Sequence, residues 1–180
     1  MVQGKLSLRE IGSRSFETKF NQQEEWVRSA LALAAPHPDL CGMEAPEWAQ
    51  QSSCSGELRV DRIDPDYSIR GSFEARVPVL CPRCGELATI ARSADFTLIA
   101  HPVGPRDEVE EGDDPDYIFL ETPYLDFVSI LSEQIVAAES VVEHPDQNPD
   151  ASPHNCSLNT GQIELKAGNS PFEILKKLKV

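Results

Sequence analysis

The sequence is short of basic residues and of long apolar runs, and each shortage excludes a class of protein. Sixteen lysines and arginines stand against 30 aspartates and glutamates among 180 residues, so the formal net charge is −14. A surface with this charge does not coat a nucleic-acid backbone or dock on an anionic membrane by simple attraction, because both ligands are anionic. A small basic patch remains compatible with this composition.

Motifs for export, membrane insertion and common enzyme chemistry are also missing. The N-terminal residues lack the apolar core of a secretory signal, and the longest apolar run, residues 30–35, is too short to cross a bilayer. We therefore expect a cytoplasmic protein with no membrane partner. The chain has no nucleotide-binding glycine loop, nucleophile elbow or metalloprotease histidine pair, so we expect no enzymatic activity and no small-molecule substrate.

What the sequence does contain is enough apolar material for one real core. Hydrophobic residues make up 40% of the chain, and the length is typical of one domain. We predict a single domain over residues 1–180. Within it, residues 1–54 hold an N-terminal strand, a helix and an irregular connection, while residues 55–180 hold a hairpin, an acidic loop, a second helix and a C-terminal segment.

The N-terminal third shows one short alternation and one helical stripe. Alternation over Lys5–Ile11 predicts a first strand. Asn21 can cap backbone N–H groups of a following helix, and Glu24 can reach back toward it. Apolar residues at helical spacing follow this cap: Trp26, Val27, Ala30, Leu31 and Ala34. Prolines end this helix, and residues 36–56 are interpreted as an irregular connection.

The middle of the chain has the clearest periodicity. Apolar residues occupy every second position from Tyr67 to Val79, with polar residues between them. Alternation resumes after Gly85, which predicts an antiparallel hairpin of residues 67–80 and 86–100 with its tip at Cys81–Gly85. The hairpin is expected to bury one face and leave the other face in water.

An acidic segment and a second helix follow the hairpin. Residues 107–116 hold seven acids, which is typical of a solvated loop and also of a docking site for a basic partner. Residues 117–120 are a candidate short strand. Thr122-Pro123 is interpreted as the start of an amphipathic helix over residues 124–142, and a capping box predicts a terminal helix over residues 172–178. The predicted fold is α+β: an antiparallel sheet built on the long hairpin, packed by one amphipathic helix, with short N- and C-terminal helices.

The pair Cys81 and Cys84 is the strongest candidate for chemistry. Two thiolates three positions apart can chelate one tetrahedral metal ion, and Gly85 permits the turn that such a pair needs. Cys156 and His154 can complete the set if their loop folds back over the hairpin tip. The hypothesis is a structural zinc ion held by Cys81, Cys84, His154 and Cys156, with the fourth ligand open among His154, His144, Cys41 and Cys54.

Two other interpretations of the cysteine pair stay open. A thiol oxidoreductase normally places its cysteine pair at a helix N-terminus, whereas residues 86–90 continue as a strand. The pair can also be a vestigial site that binds no metal, because only one cysteine lies downstream of it.

The order of these motifs resembles a known family. A strand ending in Cys81-Pro-Arg-Cys84-Gly85 is followed by an acidic segment, then by a helix carrying residues 132–138, a loop to Cys156, and an ending over residues 169–179 that contains Pro-Phe-Glu-Ile-Leu-Lys-Lys-Leu-Lys. This order is similar to that of the YceD family, the large ribosomal RNA subunit accumulation proteins of bacteria and plastids. Family members commonly carry a second cysteine cluster, which here is reduced to His154-Asn-Cys156.

The resemblance implies a function and a class of partner. It implies a non-enzymatic role in accumulation of large-subunit ribosomal RNA and in ribosome assembly, with ribosomal RNA or large-subunit ribosomal proteins as partners. The alternative is an acidic, zinc-stabilised protein-interaction module unrelated to ribosomes. The arginines on or beside the hairpin are a candidate RNA contact or an ordinary solvent face: Arg59, Arg62, Arg70, Arg76 and Arg83.

Overall fold

The computed structural model describes residues 4–11, 15–81, 85–102 and 117–138. The described residues form an α+β fold, which confirms the predicted class. A five-stranded mixed sheet has the order β2-β3-β4-β5-β6, and a two-stranded antiparallel sheet joins β1 to β7. The strands are β1 (Lys5–Ser7), β2 (Phe16–Asn21), β3 (Ser53–Ile63), β4 (Asp66–Leu80), β5 (Leu87–Pro102), β6 (Tyr117–Leu120) and β7 (Tyr124–Asp126).

The hairpin region forms the centre of the large sheet. β4 and β5 pair antiparallel from Tyr67 opposite Ala100 to Leu80 opposite Leu87, because apolar side chains alternate with polar ones along both strands. β2 and β3 extend the sheet antiparallel on one side, whereas β6 joins β5 in parallel on the other side, so the sheet is mixed and the prediction of a wholly antiparallel sheet is wrong. The strand β2 was not predicted from the sequence.

Four α-helices are described: α1 (Glu25–Ala34), α2 (Pro38–Cys41), α3 (Ala45–Gln51) and α4 (Phe127–Ala137). α1 packs beside α4, and α3 packs against α1, so several helices share the core on the apolar face of the sheet. The prediction of one covering helix does not describe this arrangement. The buried stripe of α1 is the predicted one, and consists of Trp26, Val27, Ala30, Leu31 and Ala34.

The start of α1 differs from the predicted cap in one detail. The helix begins at Glu25, and Asn21 is the last residue of β2. The Asn21 side chain accepts a hydrogen bond from the Gln23 N–H at 2.9 Å, and the Glu24 carboxylate accepts one from the Asn21 N–H at 3.3 Å. The two side chains therefore shape the turn between β2 and α1, and neither one caps the helix.

The predicted irregular connection over residues 36–56 is wrong, because α2, α3 and the first residues of β3 occupy most of it. Pro38 is the first residue of α2, and Pro46 lies in the first turn of α3. Proline is well placed at such positions, since the first N–H groups of a helix have no partner within the helix. These prolines therefore start helices here and do not interrupt a loop.

Two predicted boundaries are also corrected. The predicted strand Lys5–Ile11 is a strand only to Ser7 and continues as a 3₁₀ helix over Leu8–Ile11. The predicted helix start at residue 124 is wrong, because Tyr124–Asp126 pairs with β1 and the helix starts at Phe127. Its cap is Asp126, whose carboxylate accepts hydrogen bonds from the next turn. Residues 139–142 and the predicted helix over 172–178 lie outside the described residues.

No helix in the described part of the chain is both long and apolar enough to pass through a membrane.

Candidate functional site

The turn at the hairpin tip is the part of the predicted metal site that the structure describes. Cys81 follows β4 directly and is 1% exposed. Its N–H donates to the Glu86 carbonyl at 2.8 Å, and the Gly85 N–H donates to the Cys81 carbonyl at 2.8 Å. Gly85 has a φ of +71°, a conformation that glycine adopts without strain. The turn therefore buries one candidate ligand, and Gly85 adopts the positive φ that the sequence predicted.

The other predicted ligands cannot be placed beside Cys81. Cys84, His154 and Cys156 lie outside the described residues, as do the alternative ligand His144 and the acidic segment 107–116. Among the residues that the structure does describe, no group of three or more histidine, cysteine or acidic side chains could hold a metal ion. The zinc set over these four residues therefore stays a prediction.

The two remaining cysteines, Cys41 and Cys54, differ as alternative ligands. Cys54 lies opposite Ala75 in the sheet, six residues along β4 from Cys81, a separation of about 20 Å at about 3.3 Å per residue. Burial raises the pKa of the Cys54 thiol to about 12, which disfavours the thiolate that a metal requires. The structure thus argues against Cys54 as a fourth ligand.

Cys41 lies nearer to the hairpin tip but is engaged elsewhere. It ends α2, and the next residue, Gly42, lies against the Leu80 side chain at the end of β4. The Cys41 thiol is buried and donates to the Met43 carbonyl at 3.2 Å. This contact is typical of a cysteine in a core, which acts as a small apolar residue with a weak donor.

The second candidate site is the polar face of the five-stranded sheet, here called the outer face. No described helix covers it, and its side chains come from the exposed phase of β2, β3, β4 and β5. A shallow depression of about 580 Å³ lies on this face between β2 and β5. This face carries charges of both signs: Glu17, Glu57, Asp61, Glu74 and Asp95 with Lys19, Arg59, Arg70 and Arg76.

Asp61 organises the arginines at one end of the outer face. Arg59 contacts Asp61 at 2.9 Å and Glu17 at 2.9 Å, and Arg70 also donates to Asp61. Ser15 donates to the same carboxylate at 2.5 Å. The hydrogen bonds from Arg59, Ser15 and Arg70 hold the pKa of Asp61 well below its usual range, so the network is ionised at neutral pH.

The predicted arginine patch is therefore largely neutralised within the chain. Arg59 and Arg70 share Asp61, and Arg62 contacts Asp64 at 2.7 Å. Arg76 is exposed on the outer face and forms no ion pair among the described residues, while Arg83 lies outside them. This arrangement agrees with the interpretation of these arginines as a solvent face, and on the described outer face it leaves few cations for a phosphate backbone.

One feature of the sheet, the buried Arg92, was missed by sequence reasoning. Arg92 lies in the apolar phase of β5, is 5% exposed, and donates to the Ile135 carbonyl in the last turn of α4 at 3.3 Å. A cation near a helix C-terminus is favoured by the helix dipole. The sequence did contain a signal for Arg92, because it is a charged residue among the apolar positions of the strand. The candidate short strand over residues 117–120 is confirmed as β6, whereas its place at the edge of the described sheet has no local signal, because that place depends on the strand that β6 joins.

Comparisons with known proteins identify no relative of this chain. No family model, no curated protein and no solved structure matches it.

Proposed function

We propose that this chain is a non-enzymatic cytoplasmic factor that supports accumulation of large-subunit ribosomal RNA and ribosome assembly, with a structural zinc ion near its hairpin tip. The resemblance to the YceD family supports the ribosomal part of this proposal. One structural observation carries the mode of action: the outer face of the sheet is open and carries charges of both signs. Such a face suits binding to another macromolecule better than the enclosure of a small substrate.

The charge arrangement favours protein partners over direct coating of RNA. An RNA-coating surface needs many cations free to displace counterions from phosphates. Arg59 and Arg70 instead lie in the Asp61 network, and acids slightly outnumber bases on the outer face. We therefore infer that the chain acts on the ribosomal RNA through ribosomal proteins of the large subunit.

The zinc part of the proposal is supported by the turn that contains Cys81. A buried thiol, a tight turn and a glycine at positive φ favour a metal-binding knuckle. When bound, zinc would be held by Cys81, Cys84, His154 and Cys156 and would act only as a structural cross-link. The shape of the turn does not depend on the metal alone, because hydrogen bonds between Cys81, Gly85 and Glu86 also fix it.

Depletion of the protein from its source cells tests the ribosomal role. We expect less large-subunit RNA and fewer large-subunit particles, with small-subunit particles as the internal reference. Expression of the wild-type chain in the depleted cells should restore the large-subunit RNA and the particles. Expression of a chain with Arg76→Glu tests whether the outer face is needed for this restoration. Arg28→Glu is the matched control, because Arg28 is exposed on α1, away from the sheet. Unchanged large-subunit RNA after depletion would contradict the role in ribosome assembly.

Metal analysis tests the zinc site separately. The native protein should contain about one zinc ion per chain, and replacement of both Cys81 and Cys84 by serine should remove it. Cys54→Ala is the control, because Cys54 lies far along the strand from the tip and should leave the zinc content unchanged. A metal-free native protein of full stability would rule out the zinc site.

The alternative function, an acidic interaction module unrelated to ribosomes, is favoured by the same balance of charge on the outer face. Sedimentation of cell extract at moderate salt separates the two proposals. Cosedimentation with precursor large-subunit particles supports the assembly factor, whereas migration with unrelated complexes supports the alternative.

A further inference from the structure

The strand β6 (Tyr117–Leu120) is an edge of the large sheet. β5 pairs with one side of it, and no strand among the described residues pairs with its other side. Tyr117 and Phe119 are 44% and 42% exposed. An edge strand of this kind presents unpaired N–H and C=O groups that can accept a further strand.

The opposite edge of the sheet, β2, is protected in a way that β6 is not. Glu17 and Lys19 are exposed on β2, and charged side chains on an edge discourage pairing with other chains. β6 has the sequence Tyr-Ile-Phe-Leu and contains no charged residue. Of the two edges, β6 is therefore the one that is chemically open to strand addition.

The side chains beside β6 form an apolar corner on the outer face. Tyr117 lies opposite Ile99, and Phe119 lies opposite His101, with the His101 and Phe119 rings 6.1 Å apart at their centroids. His101 is held in turn by Asp66, at 2.5 Å between Nδ1 and Oδ1. An added strand would place every second side chain next to these rings, so the corner can receive apolar groups.

Charge selects the partner for this edge. Acidic residues flank β6 in the sequence on both sides. The exposed Glu121 follows the strand directly, and the ten residues that directly precede the strand, 107–116, carry seven acids and no base. A positively charged segment is attracted to such a strand, whereas an acidic segment or a nucleic-acid backbone is repelled. The segment that best complements β6 is therefore an extended chain in which lysine or arginine residues flank apolar ones.

We propose that β6 binds a basic, extended segment of another protein by strand addition, with apolar side chains of that segment against Tyr117 and Phe119. The inference deepens the proposed function and rests on it only for the cellular partner, which would be the basic extended part of a large-subunit ribosomal protein. The pairing surface spans four residues, or about 13 Å, so backbone bonds and charge must act together.

Peptide binding to the full chain tests the proposal. The probe is a short fluorescein-labelled peptide of alternating lysine and valine, and its binding is followed by fluorescence anisotropy. The same peptide with alternate backbone nitrogens methylated cannot pair fully, and its Kd should be at least about tenfold higher. A peptide of alternating glutamate and valine should bind more weakly still, and added salt should weaken the lysine peptide.

Variants place the binding on β6. Tyr117→Thr combined with Phe119→Thr removes both rings but keeps residues that suit a strand, and should raise the Kd at least about tenfold. Tyr124→Thr is the matched control, because Tyr124 is an exposed aromatic residue on a strand of the other sheet. Circular dichroism checks the folding of each variant. Hydrogen exchange on the wild-type chain should show new protection at residues 117–120 when the peptide is bound.

Several results would overturn the proposal. Equal affinity for the methylated and unmethylated peptides would mean that charge alone binds the probe. Unchanged affinity in the double variant would place the binding elsewhere, and binding of a single-stranded oligouridylate in preference to the lysine peptide would make the edge an RNA platform. A dimer that dissociates in the double variant would mean that a second copy occupies the edge. None of these results alters the depletion test, so the two proposals can fail separately.

Discussion

Replacement of Trp48 by phenylalanine tests how the end of β4 is held. β4 runs to Leu80, whereas its pairing with β3 ends at Arg76, which lies opposite Ser53. Pro78 lies beyond that point and, as a proline, has no backbone N–H. Its carbonyl accepts a hydrogen bond from the Trp48 indole N–H at 2.9 Å. Trp48, from α3, is 0% exposed. A helix side chain thus takes the place of a missing strand.

The size of the effect follows from the two losses that the substitution causes. Phenylalanine removes the donor and leaves the Pro78 carbonyl buried without it, which costs about 1–3 kcal/mol. It also leaves space where the larger ring was, which costs about 1 kcal/mol more. We expect the free energy of unfolding to fall by about 3 kcal/mol, and Tm to fall by roughly 10 °C for a chain of this size.

The chain contains its own matched control, because it has only two tryptophans. Trp26 is 5% exposed, and its indole N–H donates to the Glu24 carboxylate at 2.7 Å. Glu24 is half-buried, so water can replace the lost donor after Trp26→Phe. We expect this variant to lose about 1–2 kcal/mol, less than the variant at Trp48.

Urea unfolding measures both variants, followed by circular dichroism and by fluorescence of the single tryptophan that each variant retains. Equal slopes against urea would show that the unfolded states are comparable. A loss at Trp48 no larger than the loss at Trp26 would refute the reasoning, because the buried carbonyl would then not need its indole partner.

Three further predictions concern capping, ionisation and thiol reactivity. Asp126→Ala should lower the free energy of unfolding by about 1 kcal/mol, and Asp126→Asn should cost less, because asparagine keeps an oxygen for the Val128 and Ser129 N–H groups; thermal unfolding measures both. The pKa of Asp61 is lowered in the folded chain, so its contribution to stability is present above the usual aspartate value and is lost as the pH falls below it. The stability difference between wild type and Asp61→Asn should therefore shrink below about pH 4 in urea titrations. The Cys54 thiol, with its pKa raised to about 12, should resist iodoacetamide in the native chain and react after unfolding, as mass spectrometry would show.

Each of these predictions has an opposing result. An unchanged Tm in Asp126→Ala would mean that the cap does not limit the stability of α4. A difference at Asp61 that stays constant from neutral to acidic pH would show that its ionisation is not linked to folding. Rapid modification of Cys54 in the native chain would show that β3 opens locally.

The central hairpin was predictable because its signal is local. Alternation in β4 and β5 places one apolar row on the core, and the turn residues between them lie a few positions apart in the sequence. The Cys81 turn followed from the same stretch. α2 and α3 were missed because Pro38 and Pro46 suggest an interruption, whereas each lies where a helix begins.

The β7 strand, the edge position of β6 and the Asp61 network were not predictable, because they depend on contacts between residues that are distant in the sequence. Tyr124 continues the apolar spacing of α4, because it lies four residues before Val128. Residues 124–126 therefore fit a helix as well as a strand, and only their pairing with β1 makes them a strand. The β6 edge is similar, because the sequence Tyr-Ile-Phe-Leu predicts a strand but not which side of that strand stays unpaired. That side is fixed only when β6 joins β5 in parallel. The polar phase of the sheet was predictable, but the sharing of Asp61 by two arginines required the register of β3 and β4.

The small sheet of β1 and β7 also constrains the timing of folding during synthesis. Lys5 pairs with Asp126, and the Phe127 N–H donates to the Gly4 carbonyl at 2.9 Å. The first strand must therefore wait while the ribosome makes the intervening residues, roughly 6–24 s at about 5–20 residues per second. Throughout that interval the apolar side of α1 has no α4 to pack against. The nascent chain thus carries an unfinished core until its last described helix emerges.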